Sequence, residues 1–505
     1  MSERGESQSQ LSDAERPSES DHSAGPSSET RPAVRSRLVA ALLSSLWPGL
    51  GQLYGRRRVA AAVFATPVLL VAVWLTAQLA NGLDYFGASL LDDSFALTVV
   101  VLVGLMGAWR IGSIVHAYSV AGPRRRPPAR DAAIMALLLV VVVGLHGAAM
   151  YNAWAVYGFD TSVSSNQLIS DVPTAVPSDL PTGAPTGAAS ASPSSTPIWT
   201  PPAPTAPSEP TPSPSPTPSP TQAPSTRVSI LLTGTDFLAG RTHAMNDSLL
   251  IASLDMQTHK VAILSLPRDT ANYDFYWGGK AGYNTKINNF ANLVATGQIH
   301  APDPPATALA KEVGWLVGLN VGYYVIVDIA GFGKMVDAAN GVCVTNPRAI
   351  NDPSTGTFIP AGNQCFDGHT ALKYVRSREG AGDSDYTRSR RQQDVLIALA
   401  RKLSSAAGIG YLAGVLSVAG QNIQTNFPLK TVRNYVSIAR QIGPGDISQC
   451  VLGPPYNYHP DSAITGGAWT SRLKMDKVAQ LSVYLFGTDS RFFGTEGITP
   501  APCGK

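Results

Sequence analysis

A run of prolines decides how this chain divides. Seventeen of its 39 prolines fall within Val172–Pro224, around a core that reads Thr-Pro-Ser-Pro-Ser-Pro-Thr-Pro. Such a tract has too few apolar residues to form a core and favours an extended polyproline-like conformation. At ~3.1 Å per residue its roughly 53 residues span at most ~165 Å, so it reads as a semi-rigid stalk. The parts before and after it must therefore be read as separate units.

The N-terminal part begins with a Ser/Glu/Asp-rich stretch, Met1–Thr30, that reads as disordered. Four apolar stretches follow: Leu38–Tyr54, Val59–Leu79, Phe95–Val120 and Ala132–Trp154. About 20 apolar residues cross ~30 Å of hydrocarbon, so the second and fourth qualify as spans. The third qualifies if Arg110 snorkels towards one face. The first carries Trp47-Pro48-Gly49-Leu50-Gly51 at its centre and reads as re-entrant or interfacial. Arginines set the orientation, because basic loops stay on the cytoplasmic side. Arg31, Arg35 and Arg37, then Arg56-Arg57-Arg58, then Arg124-Arg125-Arg126 with Arg130 lie inside if the acidic loop Asn81–Asp93 lies outside. Three crossings satisfy all of these and place everything after Tyr157 outside the cell.

Cysteine usage points the same way. All four, Cys343, Cys365, Cys450 and Cys503, lie beyond the proline tract, with no ligand spacing for zinc. Two disulfides in an oxidising compartment are expected, with Cys343–Cys365 and Cys450–Cys503 the preferred of three pairings. From Arg227 to Lys505 there are 25 Lys+Arg against 20 Asp+Glu, a net charge of +5. That is too mild for nucleic-acid binding through bulk charge, so any anion site rests on a few placed arginines.

The C-terminal part reads as α/β. Val228–Leu232, Ser248–Leu254, Val261–Ser265 and Tyr323–Ile329 are short apolar, β-branched runs typical of buried strands. Helical spacing is expected over Ala306–Leu319, Phe332–Ala339, Gly368–Arg376, Asp385–Leu403, Tyr411–Val418 and Leu429–Ile442. A central mixed sheet flanked by helices is the natural packing of these elements. The first strand runs into Asp236 and the third into Arg268-Asp269, the strand ends where open α/β sheets bind ligands. Asp247 stands before the second strand, and an antiparallel pairing would bring it beside Asp236, where a divalent metal relieves the repulsion. Arg376 and Arg378 end one helix, while Arg388, Arg391 and Gln392 share a face of the next at i, i+3, i+4. Arginine forks fit phosphate oxygens, and with Arg268 these residues would make a pyrophosphate clamp beside apolar helices able to enclose a lipid tail.

Seven ordered segments carry a resemblance. Leu231–Asp236, Asp247–Ser253, Leu264–Asp269, Lys286–Asn288, Gly331–Asp337, Gly368–Arg378 and Asp385–Gln393 are similar to the successive motifs of the LytR-CpsA-Psr (LCP) family. The resemblance implies an α-β-α domain with a central mixed sheet. It also implies an extracytoplasmic, membrane-anchored phosphotransferase that moves a glycopolymer from a polyprenyl-pyrophosphate carrier onto peptidoglycan, with Mg2+. Position by position, Asp236 and Asp247 would bind magnesium, and Arg268, Arg376, Arg378, Arg388, Arg391 and Gln392 would hold the pyrophosphate. Lys286 would reach a phosphate, Asp269 would orient Arg268, and Arg268, Asp269 and Asp247 would form the catalytic set. The family commonly has an arginine where this chain has Met245, with Arg241 nearby, and usually a single membrane helix.

The expected organisation is a cytoplasmic tail over 1–36, a membrane module over 37–157, the linker over 158–226, a catalytic domain over 227–490 and a tail over 491–505. Its partners would be the lipid-linked glycan, peptidoglycan and the bilayer, with no nucleic acid. Two other readings use the same residues: a pyrophosphatase with water as acceptor, and a non-catalytic polyprenyl-phosphate-binding wall module.

Overall fold

In the computed structural model, which describes residues 36–121, 128–159, 162–163, 168, 226–235, 245–353, 356–378, 382–405 and 407–494, the apolar N-terminal stretches are helical. They are α1 (Arg37–Leu46), α2 (Leu50–Tyr54), α3 (Arg58–Leu79), α4 (Leu83–Ser89), α5 (Asp93–Val120) and α6 (Ala129–Val156). Three of these, α3, α5 and α6, are long and apolar enough to cross a membrane. The first stretch breaks into α1 and α2 at Pro48-Gly49, as its composition predicts. Gly49 turns at φ +105°, and a Cβ there would come within 2.6 Å of the Ala61 carbonyl. The short α4 inside the acidic loop has no counterpart in the sequence expectations.

The described residues cluster into two units, one within 1–66 and 109–139 and the other within 67–108 and 140–505. Polar side chains knit the first. Gln52, with no exposed surface, accepts from Ser44 Oγ at 3.0 Å and donates through Nε2 to the Ser113 carbonyl at 2.9 Å. Arg110 donates to the carbonyls of Ser45 and Leu46, the end of α1, and so caps that helix. Orphan carbonyls at a helix end need such partners most where water is scarce.

The second unit is built on a six-stranded mixed sheet. Its strands are β1 (Arg227–Thr235), β2 (Asn246–Asp255), β3 (Val261–Ser265), β4 (Tyr323–Asp328), β9 (Ile423–Thr425) and β10 (Ile447–Val451), in the order β10-β3-β2-β1-β4-β9. The two-stranded ribbons are β5 (Val342–Asn346) with β8 (Gly362–Phe366), β6 (Ile350–Asp352) with β7 (Thr357–Ile359), and β11 (Asn457–Tyr458) with β12 (Arg472–Leu473). The longer helices of this part are α7 (Phe290–Ala295), α8 (Pro305–Val317), α9 (Ile329–Ala338), α10 (Gly368–Arg376), α11 (Asp385–Ser404), α12 (Ile409–Asn422) and α13 (Met475–Phe486). The expected helix over Leu429–Ile442 is instead a 3-10 turn, Leu429–Tyr435, followed by one short helical turn.

Alternation along β1 sends neighbouring side chains to opposite faces. Leu231 is buried with Leu309, Val313 and Leu316 of α8. Leu232 faces the other layer, where α9 to α12 enclose a cavity. Helices α9 and α10 approach closely, since a Cβ on Gly368 would lie 2.0 Å from the Gly333 carbonyl. Leu91, Val156, Phe159 and Val163 pack with Met335, Leu416 and Ala419 in one apolar cluster. The acidic loop is tied in by Arg440, whose Nε donates to Asp84 Oδ2 at 2.6 Å, and by Asp93, which accepts from Gly158 N. Cys343 and Cys365 face each other in register on β5 and β8 and form a disulfide. Cys450 is also disulfide-bonded, while its expected partner Cys503 lies outside the described residues.

Candidate active site

Strand pairing assembles the site. β1 and β2 run antiparallel with Thr235 opposite Asn246, which brings Asp247 to the end of β1. β2 and β3 are antiparallel too, so the residues following β3 return to the same end. There Arg268 Nη1 donates to Asp247 Oδ1 at 2.6 Å, with Arg268 Nε 3.9 Å from Asp269 Oδ2. Asp269 in turn accepts from Lys286 Nζ at 2.8 Å. The result is a chain of alternating charges, Asp247, Arg268, Asp269 and Lys286, in which each carboxylate orients a cation.

Two helices complete the cluster. α11 starts with a capping box in which Ser384 and Thr387 exchange hydrogen bonds, fixing the first turn that carries Asp385 and Arg388. Arg388 is 7% exposed, with Asp385 at 3.2 Å. Burial holds its pKa below the usual guanidinium value; the nearby Arg268 and Arg378 add to this, and Asp385 opposes it. The Nε atoms of Arg268 and Arg388 are buried without a hydrogen-bond partner. Unsatisfied, crowded guanidinium groups are the arrangement an anionic ligand resolves.

These cations line the polar end of a cavity of about 960 Å³. Asp247, Arg268, Arg376, Arg378, Arg388 and Gln392 line it, while Leu232, Phe332, Leu396, Leu412 and Leu416 supply apolar walls. The sequence-predicted residues are not all placed alike. Arg391 is turned away: its guanidinium pairs with Asp383 at 2.9 Å, with both side chains buried, and lies over the Tyr374 ring. Lys286 and Asp269 flank Arg268 without lining the cavity. Asp236 and Arg241 lie outside the described residues, and Met245 is 47% exposed. Sequence reading missed His369 and Lys373, which line the cavity from α10. Their i, i+4 spacing, continued by Arg376 at i+7, was the available signal.

A magnesium ion was expected from the resemblance. Among the described residues no group of three or more His, Cys, Asp or Glu side chains is placed to hold a metal. Asp247 supplies one carboxylate facing the arginines. That donor set suits an ion that retains water and takes its remaining oxygens from substrate phosphates.

Comparison with known proteins shows the family. The LytR_cpsA_psr family profile matches residues 205–490, more than half of the chain, and the protein belongs to that family. An uncharacterized Staphylococcus aureus protein is 28% identical over 250 residues, covering 46% of this chain, which spans 58% of that relative's length. A Bacillus mycoides polyisoprenyl-teichoic acid–peptidoglycan teichoic acid transferase, TagU, is 30% identical over 247 residues, or 47% of this chain and 76% of that one. Among solved structures, B. subtilis TagV matches with a TM-score of 0.40 and 21% identity over 52% of this chain and 97% of that chain.

Proposed function

We propose that the protein is a phosphotransferase that moves a glycopolymer from a polyprenyl-pyrophosphate carrier onto peptidoglycan at the outer face of the cell membrane. The observation that carries this reading is the meeting of a crowded arginine cluster with the mostly apolar walls of one cavity, which suits an amphiphilic lipid pyrophosphate. The chain would enclose the lipid between α9, α12 and the sheet. Arg268, Arg376, Arg378 and Arg388 would hold the pyrophosphate, with Gln392, Lys373 and His369 beside it.

In the reaction a peptidoglycan sugar hydroxyl attacks the phosphorus that bears the glycan. A new P–O bond forms, the bridging P–O bond breaks, and polyprenyl phosphate departs with that bond's electron pair. The arginines stabilise charge that accumulates on the phosphoryl oxygens. Asp247, paired with Arg268, or Asp269 beside it would take the hydroxyl proton. Magnesium, held by Asp247 and Asp236, would supply further screening of phosphate charge. The relative named TagU supports teichoic acid as the class of glycopolymer.

The test uses full-length protein in detergent with a polyprenyl-pyrophosphate glycan, Mg2+ and uncrosslinked peptidoglycan. Mass spectrometry should find the glycan joined to peptidoglycan through a phosphodiester. Arg268→Ala should lower that rate by roughly 10²-fold or more with the melting temperature little changed. Phosphate release without joining would establish the pyrophosphatase, and lipid binding without turnover the binding module.

A further inference from the structure

Beside the arginine cluster, outside the cavity, stands a surface that the transfer chemistry leaves unexplained. Trp469 is 66% exposed and stacks on His459 with ring centroids 4.2 Å apart and 24° between planes. Tyr458, on the same β11–β12 ribbon, is 38% exposed, with Lys474 Nζ 5.9 Å from its ring centroid. A stacked pair of exposed rings offers an apolar surface to a partner.

The ribbon is fixed from below by buried polar residues. Asn457, 2% exposed, donates to Tyr386 OH at 2.9 Å and to Ser471 Oγ at 2.8 Å. Ser471 N donates to the Asp269 carbonyl, and the Ser471 carbonyl accepts from Ala271 N. His459 is held at Nδ1 by the Thr470 carbonyl and faces Tyr386 OH at Nε2. Tyr386 belongs to the first turn of α11, two residues before Arg388. The aromatic shelf is thus pre-positioned by the same loop and helix that position Arg268 and Arg388.

We infer that Trp469 and His459 form a stacking platform for a pyranose ring of the acceptor glycan strand. This rests on the transferase reading above. In phosphoryl transfer the attacking and leaving oxygens lie on opposite sides of phosphorus. With the lipid leaving group in the cavity, the acceptor must approach from outside it. No residue of the ribbon lines the cavity, yet Ser471, immediately before β12, is bonded to Asp269, next to Arg268. The C–H face of a pyranose is the apolar partner that an exposed indole takes, and its edge hydroxyls keep their contact with water.

The test measures calorimetric binding of short soluble peptidoglycan glycan strands to the full-length protein without donor lipid. Trp469→Ala should weaken binding roughly fivefold to tenfold, and Trp469→Tyr should stay within about twofold of wild type. In turnover, Trp469→Ala should raise the acceptor KM and leave kcat and the donor KM unchanged. Equal binding by wild type and Trp469→Ala, no binding by wild type, or a rise in the donor KM in place of the acceptor's would each overturn the assignment. Because the binding arm needs no turnover, weakened binding with no transfer would uphold the platform and sink the transferase reading alone.

Discussion

Glu312, on α8, has no exposed surface; its Oε2 accepts from Tyr276 N at 3.2 Å and its Oε1 has no hydrogen-bond partner. Burial pushes its pKa up to about 8, with Asp274 adding to the shift and the Tyr276 N–H and Arg491 opposing it. Tyr273 faces the same group, its own pKa raised by burial and by Glu312. The folded protein therefore holds a proton that the unfolded chain releases near its ordinary pKa of 4.5. Stability present in full below that value should fall as pH rises towards 8, by up to about 1.4 kcal/mol per pH unit. Glu312→Gln should flatten this slope, as read by urea unfolding across that range. A carboxylate within a helix gives no sign in sequence that it is buried, so Glu312 was invisible there. Arg268, Arg376 and Arg378 stood out at strand or helix ends, and Arg388 by its i, i+3 spacing with Arg391 on one helix. Arg391 shares their spacing, and only the fold reveals that Asp383 claims it.

At the scale of elements, the buried central strands β1 to β4 stood out because each is a run of apolar, β-branched residues. The ribbons did not: β5 alternates buried and exposed positions over five residues, and β6 and β7 have three residues each. Their stability comes from cross-strand contacts, which no local window contains. In the β5–β8 ribbon the main such contact is the Cys343–Cys365 disulfide, which closes a separation of 22 residues. Loops of this size constrain the unfolded chain by about 3 kcal/mol. The double variant Cys343→Ser/Cys365→Ser should lose stability on the order of 2–4 kcal/mol by urea unfolding. Because α10 follows β8 directly and carries Arg376, transfer should decline with it as temperature rises.

On the scale of the whole molecule, the N-terminal helices do more than provide length. Phe159 lines the cavity three residues beyond the end of α6, and the Asp84–Arg440 pair fastens α4 to the segment before β10. Hydrogen bonding to Arg440 holds the Asp84 carboxyl below its usual range, so the pair stays charged at neutral pH. Sequence patterning gave the helices and their arginine flanks, but a contact between residues 356 apart lies beyond it. Leu168 packs against the cluster that holds Leu231 of β1, so described residues on either side of the proline tract belong to one body. Deleting 181–218 should leave transfer from membrane-embedded carrier within about twofold of wild type, because the described residues on both sides of the tract belong to the same body. A tract that served as a spacer would lose activity in step with its shortening. With both flanks held on one body, the length of the tract is free to drift while its two attachment points stay fixed.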